Sequence, residues 1–115
     1  SRSNTALQSL VSLNDPVFAE FAKLFAVRIL SQNLASDRDR LDFAYRCALA
    51  RPPSADEATM LLAFLASQKQ SFAKDNAAAK ALSAGMPTKD DAPGYAAWVM
   101  AASTILNLDE TIHRP

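Results

Sequence analysis

The sequence predicts an all-α domain, a compact bundle of about five helices in orthogonal-type packing with no sheet. Three observations carry this. Only two glycines occur in 115 residues while alanine is abundant, and sheets need glycine for their turns whereas alanine is the best helix former. Apolar residues recur at three- and four-residue spacing along most of the chain. Helix-start signatures, an acceptor side chain followed by proline or an acidic residue, also punctuate it repeatedly. The length suits a single domain over 1–115, long enough to bury roughly two thirds of its unfolded surface without staples.

The first helix is predicted over Thr5–Leu13, with Leu7, Leu10 and Val11 on one face and Thr5 and Gln8 at capping-box spacing. Asp15 followed by Pro16 then starts a second helix, acceptor at N-cap and proline at N1, running to about Leu34. Its apolar face, Phe18, Phe21, Leu24, Phe25, Ile29 and Leu30, is broad. That breadth places it, with the last helix, at the centre of the bundle. A third helix follows Ser36 and turns Leu41, Ala44, Tyr45 and Ala48 to one side, with Asp42 and Arg46 paired outside.

Arg51-Pro52-Pro53 closes that helix, because proline disfavours the helical conformation in its predecessor. Ser54 and Glu57 form the next capping box, and Leu61, Phe64, Leu65, Gln68 and Phe72 line the fourth helix. From Lys74 the pattern thins into a stretch helical by propensity with little to bury. Gly85 is placed as a left-handed cap, and residues 86–94 as an exposed loop. The last helix carries the cleanest stripe: Tyr95, Trp98, Val99, Ala102, Ile105 and Leu106.

Chemistry is mostly excluded by inventory. Twelve basic residues balance twelve acidic ones, which removes the electrostatic case for nucleic acid. No apolar run approaches the ~20 residues of a membrane span. The single cysteine, Cys47, forbids an internal disulfide; beside Tyr45, Ala48 and Leu49 it is placed at a buried stripe, where thiols are inert. Glu110 and His113 have the Glu-x-x-His spacing of a di-iron ligand pair, but His113 is the only histidine and the second motif is missing. No residue is therefore assigned as catalytic, cofactor-binding or metal-ligating, and no cofactor is expected. Arg38, Arg40, Arg46 and Arg51 gather near the third helix as a surface that either docks a carboxylate-bearing partner or balances Asp37, Asp39 and Asp42. Of these, Arg51 is expected to be free for contact, so that Arg51→Ala weakens docking. Trp98, within an apolar stripe, is assigned to the core.

Three strings in order, "NTALQSLVSLNDPVF" (4–18), "AYRCALARPPSADE" (44–57) and "AWVMAASTILNLDETIHR" (97–114), resemble a planctomycete-specific domain of unknown function that closes large, exported, cytochrome-c-associated proteins. Ala6 stands where that family often has proline, Ala50 where it often has glycine and Thr111 where an aromatic residue is usual. The resemblance implies a C-terminal part of a longer polypeptide, upstream domains as partners (among them a haem-binding module) and an extracytoplasmic location. It supplies no catalytic residue. The opening Ser-Arg-Ser-Asn, without methionine, likewise reads as a fragment of something longer. The expected role is a non-catalytic structural or interaction module packing on upstream domains. The alternative is an accessory part of an upstream redox or polysaccharide-related enzyme, with the Arg38–Arg51 surface or the Asp109–His113 tail facing its pocket. A free-standing binding module would instead show an exposed apolar groove.

Overall fold

In a computed structural model, which describes residues 13–108, three expected helix starts carry their expected caps. Helix α1 spans Pro16–Leu30, and the Asp15 carboxylate accepts from the Val17 N–H at 2.9 Å. Helix α2 spans Asp37–Leu49, with the Ser36 hydroxyl accepting from the Asp39 N–H at 3.1 Å. Helix α3 spans Ala55–Lys74 behind a complete capping box: Ser54 Oγ accepts from the Glu57 N–H at 3.1 Å, and Glu57 Oε1 from the Ser54 N–H at 2.9 Å. Each interaction satisfies backbone donors that a helix start would otherwise leave orphaned. The helix predicted over Thr5–Leu13 lies outside the described residues except for Leu13, which packs against the core.

Boundaries differ where side chains bond back to the chain. α1 stops at Leu30 rather than Leu34, because Ser31 Oγ and Gln32 Nε2 both donate to the Arg28 carbonyl, at 3.0 and 2.9 Å. Asn33 then turns left-handed at φ 57°. The thinning stretch after Lys74 is a separate helix, α4, spanning Asn76–Leu82, because the Asp75 carboxylate accepts from the Ala78 N–H at 3.1 Å and starts it afresh. Gly85 is left-handed at φ 83°, two residues beyond the Ser83 cap. Helix α5 spans Ala92–Asn107, so the predicted 86–94 loop gives up its last three residues to a helix. Asp91 accepts from the Gly94 N–H at 3.0 Å, and Ala92 and Gly94 are buried.

The sequence places two helices at the centre; the structure keeps one. α5 lies between α3, α1 and α4 and also touches α2. Twelve of its 16 residues are buried, against three of 15 in α1. Apolar content does not explain this, since eleven residues in each helix are apolar. Size and charge do. α1 carries three phenylalanines and the charged Glu20, Lys23 and Arg28, whereas α5 has no charged residue and five alanines. Alanine lets neighbouring backbones approach from every side, so α5 is buried around its circumference and not along one stripe alone. Its buried hydroxyl at Thr104 is satisfied by the Met100 carbonyl at 2.9 Å. No strand occurs among the described residues.

Candidate functional site

The polar side chains that come together are engaged with one another. Asp37, at the first position of α2, receives Lys69 Nζ of α3 at 2.6 Å, Arg40 Nη1 at 2.8 Å and Trp98 Nε1 of α5 at 3.2 Å. Burial alone would raise its pKa. The Lys69 hydrogen bond and charge, with help from Arg40 and Trp98, outweigh that and hold the carboxyl below its ordinary value. Arg40 also donates from Nη2 to the Leu34 carbonyl at 3.0 Å, tying the α1–α2 connection to the same point. Trp98 is core as expected, 1% exposed, and its indole N–H has the acceptor that a buried tryptophan needs.

Arg51 corrects the sequence expectation. It grips Glu57 with both guanidinium nitrogens at 2.8 and 3.0 Å, donates to the Pro52 carbonyl at 3.1 Å and lies over the Tyr45 ring, 5.6 Å from its centroid. That fork, more than any other influence, lowers the Glu57 carboxyl from 4.5 to about 2. Burial opposes it, and the Ser54 N–H adds to it. Arg51 is therefore spent inside the α2–α3 corner, and weakened docking is no longer expected of Arg51→Ala. Ala50 at the same corner is left-handed, φ 60°, where the resembling family often has glycine. Arg46 pairs with Asp42 at 2.8 Å as expected, in the open, and Arg38 is exposed. Of the four arginines, three are held by carboxylates of this chain, which makes the surface charge-balanced. Glu110, His113 and the rest of the 109–113 tail lie outside the described residues.

Cys47 also departs from expectation, being exposed. α2 buries Leu41, Ala44 and Tyr45 of the expected stripe, and Cys47 lies off it, exposed on the rim of a groove. The groove is built by α1. Val17, Phe21, Leu24 and Arg28 follow one another at i, i+4, i+7 and i+11, opposite the buried Ala22, Ala26 and Ile29. Val17 is 73% exposed, Phe21 65% and Leu24 59%. A near hollow of about 520 Å³ runs along Pro16, Val17, Glu20, Phe21 and Leu24. A far hollow of about 450 Å³ shares Phe21 and Leu24, continues to Phe25 and Arg28, and is walled by Cys47 of α2 and Leu106 of α5. A third, polar hollow of about 470 Å³ lies between α4 and the following loop, with Lys80 and Asp90 among its walls. No group of three or more His, Cys, Asp or Glu able to hold a metal assembles among the described residues.

The Asp37 hub and the α1 groove were missed from sequence. A buried tryptophan demands an acceptor, and that signal could have sent the search to the helix-start aspartates. The seven-residue recurrence of Val17 and Leu24, apart from the buried face, could have separated an outer apolar stripe from the inner one.

What these features define is an all-α domain built around one buried helix, with its polar groups largely spent on internal ties and one apolar helix face uncovered. Among the described residues no helix is long and apolar enough to cross a membrane. The chain belongs to the family described as protein of unknown function DUF1553 (PSD1), whose model matches residues 1–65, through α1, α2 and the first half of α3. Two of the three resembling strings fall inside that match and the third outside it. No match exists among curated proteins or solved structures.

Proposed function

We propose that the domain is a non-catalytic helical interaction module that packs on upstream domains of a longer, exported polypeptide. One observation carries the reading: the far hollow, where Phe25, Leu106 and the shared Phe21 and Leu24 make an apolar floor with Arg28 and Cys47 at its rim. Isolated exposed apolar residues are ordinary on protein surfaces, but a contiguous patch marks an interaction site, whether for an upstream domain or, as in a free-standing binding module, for a separate partner. The Arg28 guanidinium gives such a patch one charged anchor of the kind that orients a docking partner. The resemblance stated above supports the wider setting, in which the partner is an upstream domain, among them a haem-binding module, and the location is extracytoplasmic. The alternative, a part completing an upstream enzyme's pocket through the Arg38–Arg51 surface, loses support because three of those arginines already hold carboxylates.

The test is calorimetric titration of residues 1–115 with the separately produced upstream portion of the polypeptide. Cys47→Glu puts a charge into the far hollow at an exposed position and should weaken binding about tenfold or more. Met60→Glu, at another exposed apolar residue on α3, should leave it unchanged. Equal binding by all three proteins, or turnover of a small substrate by the isolated domain, would overturn the reading.

A further inference from the structure

We propose that the outer face of α1 pairs with the same face of a second copy of this chain, antiparallel about a two-fold axis at Leu24. The near and far hollows are one trough, because Phe21 and Leu24 line both. Val17, Phe21 and Leu24 stand exposed along it, while Ala22, Ala26 and Ile29 on the opposite side of the helix are spent on the core. Charge selects the occupant. Glu20 and Arg28 are exposed on the same outer face, the one four residues before Leu24 and the other four residues after it. About 12 Å of helix separates them, too far for one to neutralise the other. Among the described residues neither holds an ion pair.

A two-fold axis makes an interface self-complementary, so the residue four before Leu24 meets the residue four after it. In the antiparallel arrangement Leu24 meets its own copy and each Glu20 faces an Arg28, which gives two ion pairs around an apolar centre. A parallel pairing would set Glu20 on Glu20 and Arg28 on Arg28, like charge on like, and is disfavoured. The antiparallel order also sets the two helix dipoles in opposition, end against opposite end. From Val17 to Arg28 the face is only about 16 Å long. A strip of that length on one helix falls well short of the ~800 Å² per partner of a standard stable interface, so the pairing is weak and depends on concentration. The inference goes beyond the functional reading and does not rest on it. Pairing would cover the floor of the far hollow, so a second copy and the upstream partner exclude one another.

The experiment is sedimentation equilibrium on residues 1–115 with no partner present. Between about 10 µM and about 1 mM the chain should show a reversible monomer–dimer equilibrium, with a Kd on the order of 100 µM. Glu20→Arg and Arg28→Glu each turn two attractive pairs into two repulsive ones, and each should weaken association about tenfold. The symmetry then demands two restorations. Both reversals in one chain, or an equimolar mixture of the two single variants, should associate as the native chain does. Leu24→Glu should abolish pairing, and Met60→Glu, exposed on α3, should leave it unchanged. All these positions are exposed, and unchanged helicity by circular dichroism checks that each variant folds. A monomer at every concentration, single reversals without effect, or a double variant as weak as the singles would overturn the proposal. A native chain that stays monomeric while Leu24→Glu weakens binding of the upstream portion gives the face to that portion and removes this inference alone. Association that follows the charge reversals while Cys47→Glu leaves partner binding unchanged removes the functional reading instead.

Discussion

Asp37 and Glu57 each sit in the first turn of a helix and each is held ionised by cationic partners, but the partners are recruited over very different distances. Glu57 closes its contacts within six residues, through Arg51 and the Ser54 N–H. Asp37 reaches Lys69, 32 residues on, and Trp98, 61 residues on. The first arrangement can form as soon as its own turn of chain does. The second exists only when α2, α3 and α5 are already in place, so it reports on the whole fold and also locks it.

Substitutions at the two carboxylates should separate these roles. Asp37→Ala leaves the indole N–H of Trp98 buried without an acceptor and frees two cations, and should cost about 2–3 kcal/mol in urea unfolding. It should also shift Trp98 fluorescence, since the indole loses its carboxylate. A loss no larger than that of Glu57→Gln would erase the distinction between the two sites. Glu57→Gln, at a partly exposed corner, should cost about 1 kcal/mol at neutral pH, with its clearest signature in acid. The folded carboxyl titrates near 2 against 4.5 ordinarily, so its contribution is complete above 4.5 and is lost as pH falls towards 2. Asp37, also lowered, adds a loss below its ordinary 3.8. Unfolding measured between pH 5 and 2 should therefore fall less steeply for Glu57→Gln than for the native chain.

The smallest effect has the opposite sign. Ala50→Gly relieves a left-handed alanine at the Glu57 corner and should raise stability by about 0.5–1 kcal/mol, the backbone relief exceeding glycine's added freedom when unfolded. It should do so without changing the slope against denaturant, whereas Asp37→Ala perturbs three helices.

The same contrast explains what could be read from sequence. Caps at Asp15, Ser36 and Ser54 were legible because their chemistry is complete within three residues. The end of α1 was less so, because Ser31 and Gln32 both turn back to the Arg28 carbonyl and no pattern in the sequence signals that they will. Centrality was misjudged for α1 because a wide apolar face can belong to two surfaces, one inward through Ala22, Ala26 and Ile29 and one outward through Val17, Phe21 and Leu24. Cys47 was assigned to the inside because its neighbours are apolar, but Leu41, Ala44 and Tyr45 take the buried face of α2 and leave Cys47 off it. Of the groove, only the α1 stripe leaves a local signature; its far walls, Cys47 of α2 and Leu106 of α5, are brought to it by the fold.

The burial of α5 on every side has a consequence for how the domain is made. The helix that the other four need is the last of them to be synthesised, so until Ala92–Asn107 emerges the earlier helices have only each other's edges. Their pairings with α5 close long loops and form late. During translation the nascent domain depends on its surroundings to keep those faces apart, and a premature stop before Ala92 would leave α1 to α4 with sound caps and without the helix they pack on.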